Sequence, residues 1–169
     1  PKVGMQCGIA NDFRDITWYG RGPMENYIDR CTGSLAGIYT LTLEDFLEPY
    51  VMPQENGSRT DVRWMFLSNK RNEGLLVVAD SLLSMSVWPY TEEEMNRAKR
   101  TNELTEAGFV TVNIDLIQMG VGGNTSWSDE AAPIEKYRIP AKNYSYSFLL
   151  MPATGKKENW MNIVRKFKK

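Results

Sequence analysis

The groups in this sequence able to do chemistry are carboxylates, guanidiniums and one outlying indole, gathered in three segments. The first, WYGRGPMENYIDR from Trp18 to Arg30, breaks a strand at Gly20, Gly22 and Pro23 and then offers Glu25, Asn26, Tyr27, Asp29 and Arg30. Asp29 and Arg30 can hold such a loop through backbone hydrogen bonds. The whole segment also reads as a structural loop that satisfies its own polar groups. The second, PYVMPQENGSRTDVRW from Pro49 to Trp64, is stiffened by two prolines and turned at Asn56-Gly57. Its Glu55, Arg59, Asp61 and Arg63 can form a charge network. Arg59, Asp61 and Arg63 alternate with Thr60, Val62 and Trp64, so the charges are expected on one face of a strand whose other face is apolar. Charges beside a buried sheet need partners. They could bind a sugar or pair with one another.

The third segment, QMGVGGNTSWSDE from Gln118 to Glu130, carries glycines at 120, 122 and 123 and then delivers Trp127 among Asn124, Ser126 and Ser128. It is not a dinucleotide fingerprint, because Thr125 stands where GxGxxG needs glycine, and no Gly-Lys-Ser/Thr makes it a phosphate loop. A sugar presents one face of C–H groups that stacks on an indole, and polar edges that need hydrogen bonds. Glycine flanks let a backbone approach a ligand or a neighbouring domain closely. The same indole could equally fold back onto its own strands. Glycosidases use pairs of carboxylates, but nothing in the sequence brings Glu25 and Glu55 together. Glu92, Glu93 and Glu94 fall at a helix start, where they serve the dipole. No catalytic residue is expected in the chain.

Composition narrows the field further. The chain has 169 residues, 42% hydrophobic and 24% charged, which suits one domain or a large part of one. A net charge of −1 provides no global field for nucleic acid or an acidic membrane. No apolar run is long enough to span a bilayer, and no signal peptide is expected in this stretch. Histidine is absent, which excludes a Ser-His-Asp or Cys-His site within this chain. Cys7 and Cys31 are too few for a disulfide framework, and either one bridge or two unpaired core thiols would fit. The start at Pro1 leads to the expectation of a cut from a longer chain. The sequons at Asn56, Asn124 and Asn143 matter only in a eukaryotic secretory pathway.

The elements that must position these residues are mostly strands, because the dominant hydrophobic period is two. In RTDVRWMFLSN, Val62, Trp64 and Phe66 are expected on one face and Met65 and Leu67 on the other, as in a strand buried on both sides. FVTVNIDLIQ puts Val110, Val112, Ile114 and Leu116 on one side and turns Thr111, Asn113 and Asp115 toward water. NYSYSFLLM places Tyr144, Tyr146, Phe148 and Leu150 together. With GLLVVAD, LLSMSVW, KVGMQCGIA, DITWYG and LAGIYTLTL, about eight strands are predicted, which points to a β-sandwich or barrel. TEEEMNRAKR reads as a short helix with Thr91 as N-cap and Glu94 at the capping-box position. KKENWMNIVRKFKK places Trp160, Ile163, Val164 and Phe167 on one helical stripe. Docking onto the sheet or a neighbour is expected of this basic tail rather than membrane anchoring.

The three segments, in this order, resemble the C-terminal domain of β-galactosidases of glycoside hydrolase family 2; the matching stretches are WYGRGPMENYIDR, PYVMPQENGSRTDVRW and QMGVGGNTSW. The likeness runs over residues 1–152 and leaves residues 153–169 outside as a basic helical tail. The resemblance implies an all-β fold, a fragment of a supersandwich of the galactose-mutarotase-like type with short peripheral helices. It implies a retaining hydrolase of terminal β-D-galactosides whose catalytic glutamates lie in a separate (β/α)8 barrel, so that this stretch alone is inactive. Trp127 matches the tryptophan of the family's GDDSW, which stacks on substrate, with Asn124 and Ser126 beside it. Glu25, Asn26, Asp29, Arg30, Glu55, Arg59, Asp61 and Arg63 are expected to form a structural polar network. The family's magnesium and sodium ligands belong to other domains, so no cofactor or metal site is carried over.

The expected partners are a β-galactoside and the other domains of a parent chain, with no nucleic acid and no membrane; an unpaired sheet edge could drive self-association. A bacterial cytoplasm or periplasm is the expected compartment. The chain departs from the family at Asn124 and Thr125, where two aspartates are usual. It also departs at SVWPYT and Leu116, where many relatives carry histidines. A free-standing carbohydrate-binding module is the alternative reading. A stand-alone mutarotase is disfavoured by the absence of histidine.

Overall fold

In a computed structural model, residues 1–167 are described except Asn124 and Ser126. Among them seven strands form one antiparallel sheet: β1 (Lys2–Ala10), β2 (Asp15–Gly22), β3 (Leu35–Thr42), β4 (Arg59–Ser68), β5 (Glu73–Trp88), β6 (Phe109–Gln118) and β7 (Phe148–Thr154). The order is β1-β6-β5-β4-β2-β3, with β7 beside β5. The fold is all-β and sandwich-like, with short helices at its periphery.

Two strands expected from GLLVVAD and LLSMSVW are one, β5, of 16 residues. It serves two neighbours along the same edge: Glu73 to Ala79 pair with β7, and Ser84 to Trp88 pair with β6. The change of neighbour falls at Asp80, Ser81 and Leu82, which are exposed. Of the predicted NYSYSFLLM strand only the part from Phe148 joins the sheet. Tyr146 precedes it and packs with Phe148 on the inner face, while Leu150 is exposed.

One face of the sheet carries Ile16, Trp18, Met65, Leu67, Val77, Met85, Val87, Val110, Val112 and Ile114 in a single buried cluster. Helix α1 (Leu43–Phe46), which the hydrophobic pattern did not announce, adds Leu43 and Phe46 to it. Thr42 caps α1 by accepting from the Asp45 N–H at 3.2 Å. The opposite face carries Trp64, Phe66, Leu76, Val78 and Ala153, closed by Trp160 and Val164 of α3 (Lys157–Phe167). The Trp160 ring lies 4.8 Å from that of Trp64 and 5.0 Å from that of Phe66. Full burial of such side chains contributes about 1.5–3 kcal/mol each. The tail therefore docks on the sheet, and the same contacts explain why β4 is apolar on both sides.

Val62 does not share a face with Trp64 and Phe66, as strict alternation predicts, but joins Met65 and Leu67 in the inner cluster. The pairing of β4 with β5 shifts between Arg59 and Val62 and again between Val62 and Trp64, and Asp61 has a left-handed φ of 54°. These bulges reset the pleat. Thr111, Asn113 and Asp115 do point away from the inner face, but they are buried rather than turned to water. Helix α2 (Glu92–Arg97) and β1 stand beside them. Thr91 caps α2, accepting from the Glu94 N–H at 3.0 Å. The Glu94 carboxylate serves Arg97 and the Thr105 N–H instead of completing a capping box.

Candidate functional site

The three polar segments meet. Glu25, on the loop after β2, keeps its carboxylate buried against the second segment, accepting from the Gly57 N–H at 2.7 Å and from Arg30 and the Tyr50 hydroxyl. Gly57 takes a φ of 73° in the Asn56-Gly57 turn, a conformation that favours glycine. Asn26, fully buried, donates its backbone N–H to the Ser58 carbonyl at 2.8 Å and accepts from the Thr60 N–H at 3.0 Å. Its own amide donates to the Met24 carbonyl at 3.0 Å, so Asn26 closes its loop as well as joining it to β4.

Asp29 carries the connection on to the third segment. Its Oδ2 accepts from the Gly122 N–H at 2.6 Å. Gly120 donates to the Tyr137 carbonyl at 3.0 Å, and a Cβ at Gly120 would sit 2.9 Å from the Asp29 carboxylate. Only a residue without a side chain lets the chain pass so close. A Cβ at Gly123 would meet the Ala131 carbonyl oxygen at 2.3 Å, so the arm also returns close to itself. Thr125 and Ser128 join their hydroxyls at 2.7 Å across the turn, and the Ala131 N–H donates to the Ser128 carbonyl at 2.8 Å. Between them Trp127 is 87% exposed. Asn124 and Ser126 lie outside the described residues.

The charges of the second segment do not line up on one face. Arg59 is 1% exposed, with its guanidinium 4.2 Å from the Phe46 ring centroid and 5.4 Å from that of Trp18. It donates to the Phe46 carbonyl at 3.2 Å and the Ser58 carbonyl at 3.3 Å, while its Nε is buried without a partner among the described residues. Burial pushes its pKa down to about 10, which leaves it charged at neutral pH. Asp61 pairs with Arg21 at 2.6 Å, and Arg63 donates to the Asp61 carbonyl at 3.0 Å and lies over the Tyr19 ring. Glu55 faces Lys2 of β1 at 3.5 Å, and burial pushes its carboxyl up. The four charges of the second segment thus pair mostly outside their own group, only Arg63 reaching another of them at the Asp61 carbonyl, with the bulge at Asp61 breaking the alternation. Cys7 and Cys31 are both free thiols.

Sequence reasoning passed over Lys2, Gln6, Glu92, Asn113 and Asp115, which line a polar trough over β1 and β6. One signal for it was present. Gly4 and Gly8 alternate with Gln6 along β1, and the cross-strand partner of Gly4 is Asp115. A strand stripped of side chains on one face leaves room above its neighbour. Among the described residues no group of three or more His, Cys, Asp or Glu side chains is arranged to hold a metal ion, and no helix is long and apolar enough to cross a membrane.

Comparison with known proteins covers all three segments. A β-galactosidase from Priestia megaterium is 35% identical over 90% of this chain, one from Pseudoalteromonas haloplanktis 36% over 89%, and one from Vibrio cholerae 34% over 89%. The chain spans 15%, 14% and 14% of the length of these relatives. The family described as beta galactosidase small chain matches residues 1–150, a stretch that holds every strand but the end of β7, all three polar segments and the arm bearing Trp127. With a match of that extent, the chain belongs to the β-galactosidase small-chain family.

Proposed function

We propose that this chain supplies a substrate-facing part of a β-galactosidase that hydrolyses terminal non-reducing β-D-galactosides with retention. The reading rests on one observation above others: an indole 87% exposed on an arm that Asp29 holds at Gly122, the loop of Asp29 being joined in turn to the second segment by Glu25 and Asn26. Trp127 stacks on the sugar, with Asn124 and Ser126 beside it as hydrogen-bonding residues. An exposed indole offers a sugar both a flat apolar face and an N–H donor. The glutamates that cut the bond belong to another domain of the parent protein, and the rest of that protein is the partner of this surface. The chain by itself is then without hydrolytic activity.

The test is Trp127→Ala in the full-length protein. Substrate binding is expected to weaken by roughly 1–3 kcal/mol, the worth of one stacking contact, with the melting temperature unchanged. An unaltered KM and unaltered transfer to sugar acceptors would remove the platform role. Measurable turnover of nitrophenyl galactoside by the isolated chain would remove the assignment of catalysis to another domain.

A further inference from the structure

The trough over β1 and β6 is a built polar site that the stacking reading does not use. Asp115 forms its floor. It is 4% exposed, lines the trough and accepts no hydrogen bond among the described residues. Its carboxylate lies directly over Gly4, whose Cβ would come within 1.9 Å of Oδ1. Ser84 flanks it in register on the other side. The walls are occupied. Gln6 donates to the Asn113 carbonyl oxygen at 2.8 Å, and Asn113 donates to the Ser86 hydroxyl at 3.0 Å. Lys2 stands 3.4 Å from the Asn113 oxygen, 3.5 Å from Glu55 and 3.7 Å from Glu92, over the Trp88 ring. An adjoining pocket extends from Lys2 and Glu92 to Gly120 and Val121 at the base of the arm, and buries the unpartnered Oε1 of Gln118. The two cavities are about 160 and 270 Å³.

A buried carboxylate without donors costs free energy that a ligand with donors would offset. A cation is not the fitting ligand, because the Lys2 ammonium already stands among Glu55, Glu92 and Asn113. What remains without a donor is the Asp115 floor, since the Lys2 and Gln6 donors on the rim are already engaged by Asn113, Glu55 and Glu92. Neutral hydroxyls supply the donors that this acceptor lacks. We propose that the trough binds one sugar ring through its hydroxyls, with Asp115 as the central acceptor, as a second carbohydrate site separate from Trp127. The choice of a sugar among neutral polyols rests on the galactoside reading above; the position of the site does not.

Hydrogen–deuterium exchange of the full-length protein, titrated with galactose, tests this. Slower exchange is expected in peptides spanning residues 2–8 and 111–121, with saturation, and it is expected to persist in Trp127→Ala. At pH 8, where the carboxylate is charged, Asp115→Asn is expected to raise the midpoint about tenfold, the loss of one buried charged acceptor. Should that variant fail to fold, Gln6→Ala on the exposed rim is expected to raise the midpoint as well. Protection confined to residues 121–131 would overturn the proposal, as would the same protection from potassium chloride alone. Protection of the trough by glycerol as strongly as by galactose would reject the sugar while keeping the polyol site. Failure of the stacking reading would show separately, as an unaltered KM in Trp127→Ala.

Discussion

The Asp29 carboxylate holds the Gly122 N–H at 2.6 Å, so a residue on the loop after β2 fixes the base of the arm that ends in Trp127. The two are 93 positions apart in sequence. The bond is charge-assisted and short, and the glycine is what lets the carboxylate reach the backbone.

Removing it should loosen the arm without unfolding the sheet. Asp29→Ala is expected to speed amide exchange across residues 119–131, with a stability loss of about 1–2 kcal/mol, and, on the proposed function, to raise KM for a galactoside in the full-length protein. Asp29→Asn keeps an acceptor in place and should recover part of both effects. Unchanged exchange in the arm of Asp29→Ala would show that other contacts hold it.

Arg59 is a buried cation without a carboxylate partner at bonding distance among the described residues, bounded by Phe46 and Trp18. Its desolvation offsets much of what its hydrogen bonds and ring contacts contribute. Arg59→Met keeps the volume and removes the charge, and is expected to change unfolding free energy by no more than about 1 kcal/mol. Arg59→Ala opens a cavity beside Trp18 and should cost about 2–4 kcal/mol. Urea denaturation of both variants decides between these outcomes; equal losses would mean that the guanidinium hydrogen bonds dominate.

Trp160 closes the outer face of β4. Trp160→Ala is expected to destabilise the protein by about 3–5 kcal/mol and to free the helix, seen as a loss of helical circular dichroism. Phe167→Ala, at a partly exposed position on the same helix, should cost well under 1 kcal/mol.

Burial raises the Asp115 carboxyl from 3.8 to about 7, against the opposing pull of Lys2 and with repulsion from Glu55 and Glu92; the Tyr146 hydroxyl is the other titratable group it influences. The folded state therefore holds this proton more tightly than the unfolded chain. Its contribution to stability falls as pH rises from about 4, and the full penalty is reached above pH 7. Each tenfold change in proton affinity is about 1.4 kcal/mol, so a rise of this size corresponds to roughly 4 kcal/mol. Asp115→Asn should match the parent near pH 4 and exceed it by that amount at pH 8. The same difference at both pH values in urea denaturation would contradict the assignment.

The periodicity of the sequence was enough for the strands on either side of the core, because a pleated strand exposes alternate residues to opposite environments and the record of that is local. The same holds for Thr91 as a cap and for the stripe of Trp160 and Val164, which need only neighbours one helical turn away. The three polar segments were legible as units, since glycine, proline and clustered polar residues punctuate the chain wherever they fold.

What tertiary structure decided is who meets whom. Val62 and Arg59 left their expected faces because one left-handed residue, Asp61, adds to the pleat in a way no count of apolar residues records. Asp115 alternates as a solvent-facing residue should, yet β1 pairs beside it with a glycine in register, from the far end of the chain, and its carboxylate folds down over that glycine. Asp29 reads as a loop residue until Gly122 is brought to it. Side-chain type and spacing set which face a residue occupies, but burial and charge depend on the strand that arrives beside it, and that is settled only when the sheet closes.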